Sequence, residues 1–292
     1  MANKSKRKIA SLQDLADLAG VSRATASRAL NDSPLISEAT RRKLQALAKK
    51  HAYQINRRAR DFRLRKTSVI SVVFMLDIKS HQHMSDPFFL DMLGALADAM
   101  AEHDYDLLLA HAPIEDVLAL RDSRVIQNSD GVIFVGQAEQ HAQLDELATV
   151  YDRMVVWGYP VVGKSYPVVG GDNLRGGLIG TRHLLETGRR KIAFFGGTDN
   201  PENQARLEGY QTALYEAGLD AAPHRILPLP FEMERAREEL ARAIDDGLEF
   251  DGAVCASDVM ALAVLSALQA TGLRVPEDVA VVGYDDISLA AY

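Results

Sequence analysis

Arg23, Ala24 and Arg28, in the stretch LQDLADLAGVSRATASRALN from Leu12 to Asn31, are the residues of this chain best placed to do chemistry. That chemistry is recognition, not bond making. A helix starting at Arg23 would bury Thr25, Ala26, Ala29 and Leu30 and leave the other three on one outer surface. This is how the second helix of a helix-turn-helix presents side chains to the major groove. Leu12, Leu15, Ala16 and Ala19 fall at i, i+3, i+4 and i+7 and give a first helix one apolar stripe. Gly20 takes a left-handed corner without a Cβ penalty, Val21 plugs the angle, and Ser22 caps the second helix.

A plain helical hairpin would share that spacing, and charge separates the two readings. Residues 1 to 66 hold 17 Lys and Arg against 5 Asp and Glu, a balance of +12. The whole chain holds 33 and 40, so the remainder carries 16 against 35, or −19. Such a basic head neutralises phosphates, while an acidic body stays off DNA.

At 292 residues and 47% hydrophobic content the chain can bury a sizeable core in two or three domains. No run approaches the length of a membrane span, and the basic, polar amino terminus has no apolar signal core, so a cytoplasmic location is expected. The single cysteine, Cys255 in GAVCAS, excludes an internal disulfide and a cysteine-based metal site, and reads as a small buried apolar residue.

Ser37 opens a third helix, EATRRKLQALAKKHAY, whose Leu44, Leu47 and Ala48 close a small core. Residues 1–55 form this head, and 56–67 are too basic and polar to fold alone. From Ser68 the apolar runs SVISVVFML, YDLLLAHA, GVIFVG and MVVWG alternate with amphipathic helices, as parallel strands with crossover helices do. After Pro167 the pattern restarts with KIAFFGG, a short strand near 225–229, GAVCAS and VAVVGYD. The expected body is therefore two doubly wound α/β lobes, 68–166 and 167–292, with a ligand cleft beyond the carboxyl ends of the strands.

The order of these motifs resembles the lactose-repressor and galactose-repressor (LacI/GalR) family over essentially the whole chain. The residues are LADLAGVSRATASRALN, SEATRRKLQALAKKHAY, DPFF at 86–89, DN at 172–173, HLLETGRRKIAFFGG at 183–197, ARLEGY at 205–210, ASD at 256–258 and VPEDVAVVGYDDI at 275–287. The resemblance implies a homodimeric, ligand-controlled operator-binding regulator, with an all-α helix-turn-helix head on a body like a periplasmic sugar-binding protein. Arg23, Ala24 and Arg28 match the family's base-reading positions, where an arginine forks onto guanine N7 and O6. Ser22, Thr25 and Asn31 match positions that hold phosphates. Asn56 to Arg65 matches the hinge that folds on operator DNA, with Ala59 and Phe62 at the positions that wedge the minor groove. The family commonly has Leu at Phe62 and Pro at Ile55, and Phe62 either wedges or packs on the body.

In the cleft, the resemblance implies that Arg206 forks onto ligand hydroxyls or a carboxylate and that Asp285 accepts sugar hydroxyls. Ser257 stands where the family often has Asn, a departure at that contact. Asp86 and Phe88 open a helix on the first lobe, as a carboxylate and ring against a sugar, while Asp86 before proline also reads as a helix cap. Trp157 either stacks on a sugar or packs. The segment IKSHQHMSD at 78–86 is longer than the usual family loop; it admits a larger ligand, forms a lid, or is an unrelated surface loop. Its His81 and His83 have no nearby cluster to complete a metal site, and neither metal nor cofactor is expected.

Family members continue for about fifty residues beyond the equivalent of Tyr292, completing the first lobe and then the second. The resemblance thus predicts an incomplete second lobe, with part of the first sheet's edge and of the dimer surface unpaired. The expected mechanism is linkage: an inducer that disfavours hinge folding weakens operator binding by the factor by which DNA weakens inducer binding, and a corepressor does the reverse. Two heads on a twofold axis would read a pseudopalindrome. A transporter's solute receptor would share the body but not the basic head. An enzyme on these lobes is disfavoured because neither a Walker loop nor G-x-G-x-x-G follows any predicted strand.

Overall fold

The computed structural model describes residues 11–51, 53, 67–76, 82–111, 118–136, 140–197 and 200–291. The chain divides into two units, Met1–Thr67 and Ser68–Tyr292.

In the first unit, α1 (Leu12–Ala19) starts with a reciprocal cap: Ser11 Oγ accepts the Asp14 N–H, and the Asp14 carboxylate accepts the Ser11 N–H at 3.0 Å. It ends at Gly20, whose φ of 71° closes the corner. α2 (Arg23–Leu30) is capped by Ser22, whose Oγ accepts the Thr25 N–H at 3.1 Å, and α3 (Glu38–Lys50) is capped by Ser37 in the same way. Leu15, Ala16, Ala26, Ala29 and Leu44 are fully buried where the three helices meet. Burying each leucine contributes roughly 1.5–3 kcal/mol toward holding the three helices together. Thr25 and Leu30 are only half-buried: Thr25 turns its hydroxyl to Ser22 Oγ, 2.9 Å away, and Leu30 packs on the rim of the core.

The second unit holds two parallel sheets. The first runs β2–β1–β3–β4–β5, from β1 (Val69–Phe74), β2 (Asp106–His111), β3 (Gly131–Val135), β4 (Met154–Trp157) and β5 (Val168–Val169). Its helices are α4 (Pro87–Glu102), α5 (Arg124–Gln127) and α6 (His141–Val150). Val72, Val73, Phe74, Phe134 and Val156 are buried to 2% exposure or less, as strands covered on both faces must be. Ser71, at the same depth, satisfies its hydroxyl on the Val125 carbonyl at 2.8 Å. The boundary expected at 166/167 cuts this ladder. Val168 and Val169 still pair with Val156 and Trp157, because the Val156 and Gly158 N–H groups donate to Pro167 and Val169 carbonyls.

The second sheet runs β7–β6–β8–β9, from β6 (Ile192–Phe195), β7 (Ile226–Leu227), β8 (Gly252–Cys255) and β9 (Ala280–Val282). Around it lie α7 (Asn173–Glu186), α8 (Pro201–Glu216), α9 (Met233–Asp245) and α10 (Asp258–Ala270). α7 and α8 cross backbone to backbone. A Cβ on Gly177 would lie 1.9 Å from the Arg206 carbonyl oxygen, and one on Gly209 would lie 2.0 Å from that of Leu174. This crossing places the start of α7 beside the first turns of α8. Cys255 is buried and its thiol is pushed up by desolvation, so it behaves as an apolar core residue. Among the described residues no helix is long and apolar enough to cross a membrane, and no three His, Cys, Asp or Glu are grouped to hold a metal ion.

Candidate DNA-reading surface and effector cleft

Arg23, Ala24 and Arg28 are exposed, and with Leu12 and Ser27 they line one concave groove of the head. Two cations at the lip of a groove formed by the start of α1 and the outer face of α2 can address base edges and flanking phosphates together. Ser27 is a member of this surface that spacing alone did not mark. Ser22 and Asn31 both have roles in the helix: Ser22 caps it, and Asn31 Nδ2 donates to the Ser27 carbonyl at 2.7 Å, so each presents only its remaining polar groups outward. Asn56, Ala59 and Phe62, and with them residues 56–66 of the expected hinge, lie outside the described residues, as does His81.

In the second unit the parallel strands put their carboxyl ends on one side of each sheet, and the expected cleft residues gather there. Asp86 is the N-cap of α4, its Oδ1 accepting the Phe88 N–H at 2.9 Å. Burial raises its carboxyl above the usual range, and that hydrogen bond opposes the shift. Phe88 meets Trp157, at the end of β4, with ring centroids 5.1 Å apart and planes tilted by 42°. The cap and the aromatic wall are thus both present at one helix start.

Across from them, Arg206 is 8% exposed and held on three sides. Its Nε donates to Asn173 Oδ1 at 2.8 Å, its Nη1 donates to the Ala256 carbonyl, and its guanidinium carbon lies 3.6 Å from the centre of the Tyr284 ring. The fork expected to grip a ligand is therefore partly engaged by the protein, and Nη2 donates to no described residue. Asp285 follows Tyr284 with a φ of 107°, a strained conformation for a residue with a Cβ. Its carboxyl is pushed up to about 7, first by burial and then by the charges of Asp258 and Asp86, against the pull of Arg206 and a hydrogen bond from the Asp258 backbone. Asp86 comes from the first lobe and Asp285 from the second, so one electrostatic site spans both. Ser257 lies at the edge of this site, where its hydroxyl accepts the Met260 N–H as the N-cap of α10.

Residue spacing missed Asn173, Asn203, Asp258 and Tyr284. Asn173 and Asp258 stand in the DN and ASD motifs and Tyr284 in GYDD, so the signal was adjacency to residues already marked. Asn203, one turn before Arg206 on α8, is 3% exposed and its Nδ2 has no acceptor among the described residues, which no sequence pattern encodes. Burial lowers the His141 imidazole at the start of α6 below its usual value, and the charge of Glu202 opposes that shift.

Comparison with known proteins agrees with this geometry. The family model of bacterial regulatory proteins of the lacI family matches residues 11–56, and that of the periplasmic binding protein-like domain matches residues 181–292. The HTH-type transcriptional regulator CelR of Thermobifida fusca is 32% identical over 300 residues, covering 98% of this chain and 85% of that protein. The ribose operon repressor of Escherichia coli K12 is 28% identical, covering 97% of this chain and 85% of that repressor. A CelR–cellobiose complex superposes with a TM-score of 0.65 at 31% identity, over 97% of this chain and 84% of that one. The lac repressor dimer bound to operator and the anti-inducer ONPF shares the fold with a TM-score of 0.76 at 21% identity, over 95% of this chain and 83% of that one. With its basic helix-turn-helix head, its two α/β lobes and these relatives, the chain belongs to the lacI family of bacterial regulatory proteins, DNA-binding regulators of transcription rather than enzymes.

Proposed function

We propose that this chain is a cytoplasmic repressor that binds a pseudopalindromic operator as a homodimer and is controlled by a sugar held between its lobes. The observation that carries the reading is the convergence on one cleft of Arg206 and Asp285 from the second lobe with Asp86, Phe88 and Trp157 from the first. Carboxylates accept sugar hydroxyls, Arg206 Nη2 donates to a sugar oxygen, and the Phe88–Trp157 wall covers an apolar sugar face. The buried Asn203 amide, whose Nδ2 has no acceptor among the described residues, supplies a further donor. Ser257 serves as a scaffold at the rim through its cap.

On the head, Arg23 and Arg28 read bases beside Ala24, while Ser22, Thr25 and Asn31 hold phosphates. Residues 56–67, with Asn56, Ala59 and Phe62, form the hinge between the head and lobes at 68–169 and 170–292. The two sites are linked reciprocally: a sugar that lowers operator affinity is itself bound more weakly by the operator complex, by the same factor.

The test is fluorescence anisotropy of a labelled pseudopalindrome at two salt concentrations, titrated with cellobiose, ribose and a panel of other sugars. Preference for the pseudopalindrome over random DNA, changed by one sugar, is the expected result. No preference over random DNA overturns the regulator reading, and no response to any sugar overturns the effector class.

A further inference from the structure

The geometry points to Tyr284 as the positioning residue of the effector site, a ring that clamps the Arg206 guanidinium so that it meets a ligand through Nη2. This rests on the reading of Arg206 as an effector contact. Three observations carry it. The guanidinium carbon sits 3.6 Å from the ring centre, close enough for a cation–π contact with little water between the two. Its Nε and Nη1 are fixed in the guanidinium plane by Asn173 Oδ1 and the Ala256 carbonyl, so the ring closes the third direction. The ring's own place is carved out of α7 and the turn before it. A Cβ on Gly176 would lie 2.3 Å from Tyr284 Cε2, and one on Gly171 would lie 3.3 Å from the Tyr284 hydroxyl.

An unclamped arginine at the end of its long side chain samples many rotamers, and ordering it on ligand binding costs free energy. A clamped one is ordered beforehand. The clamp also sets specificity. With the Nε edge occupied by Asn173, the guanidinium cannot offer its side-on Nε–Nη2 fork, and it presents its Nη2 end to a ligand oxygen.

The experiment follows the Arg206 Nε–H by nitrogen-15 NMR in the full chain, with the resonance assigned by its loss in Arg206→Lys. Solvent exchange of this proton reports the clamp without any ligand. Replacing Tyr284 with Leu should accelerate exchange by about tenfold or more, as loss of a desolvated cation–π contact implies, whereas Tyr284→Phe keeps the ring and should keep the protection. Gly176→Ala supplies a second, independent variant. Alanine favours a helix over glycine, so α7 persists, yet the new methyl pushes the ring aside and should accelerate exchange as Tyr284→Leu does. Unchanged exchange in both Tyr284→Leu and Gly176→Ala overturns the clamp. Cellobiose and the sugar panel are then added to each variant. A sugar that binds more weakly to Tyr284→Leu in step with faster exchange supports the positioning role, and unaltered affinity overturns it. Accelerated exchange in a chain that answers to no sugar leaves the clamp standing and removes the effector reading on which its role was built.

Discussion

Asp258 holds Ile287 and is held in return by the same loop: its Oδ2 accepts the Ile287 N–H at 2.9 Å, while its own N–H donates to the Tyr284 carbonyl at 2.7 Å. The segment that carries Asp285 is thereby fastened on both sides to the first turn of α10. This explains how Asp285 and Asp286 keep positive φ values of 107° and 56°. Backbone strain persists only where the surroundings over-determine it.

Asp258→Ala should therefore cost about 1–3 kcal/mol, because the Ile287 N–H, on a residue 3% exposed, is left without an acceptor. Asp258→Asn keeps an acceptor oxygen and should cost much less. Urea unfolding of the two variants gives the comparison; equal losses would mean that the carboxylate charge, not the hydrogen bond, holds the loop.

Asp285 sets a pH dependence. Its carboxyl titrates at about 7 in the folded chain and near the ordinary value when unfolded. Between about pH 4 and 7 the folded state holds a proton that the unfolded state has released, so this group lowers stability as pH rises through that window and adds nothing further above it. Effector affinity moves oppositely. A carboxylate that accepts sugar hydroxyls must be ionised, so affinity should rise by up to about tenfold per pH unit below 7 and level off above it. Calorimetry in buffers of different ionisation enthalpy would detect the released proton; a flat profile would remove ionised Asp285 from the contact set.

Arg28→Ala and Arg23→Ala should each weaken the operator complex by about 1–3 kcal/mol while changing binding to random DNA far less. Anisotropy on matched specific and random duplexes decides this. Parallel losses on both would place that arginine on phosphate.

Trp157 is the only tryptophan of the chain and packs on Phe88 in the cleft wall. A sugar that covers this wall should shift or quench its emission, and the signal should vanish in Trp157→Phe. A sugar that alters operator binding without any change in emission would have to bind away from the wall.

Local periodicity and caps were sufficient to read the head. The stripe from Leu12 to Ala19, the corner at Gly20 and the cap at Ser22 are short-range relations, and each has its expected partner in the structure. Alternating apolar runs likewise revealed two parallel sheets, although β5 escaped because two residues, Val168 and Val169, are too few to show a pattern. The cleft was legible only in part. Arg206 and Asp285 stand in motifs, whereas the ring on Arg206 and the reach of Asp86 toward Asp285 come from segments far apart in the chain. Spacing along one element cannot report contacts that a crossing of two helices creates.

That crossing, at Gly177 and Gly209, has a mechanical consequence. Where main chain abuts main chain there is no side chain to change rotamer and let one helix slip past the other. Asn173, Arg206 and the ring seated against Gly176 are thereby held as one unit. Whatever meets Arg206 therefore meets a surface of fixed shape, because its neighbours cannot shift independently of it.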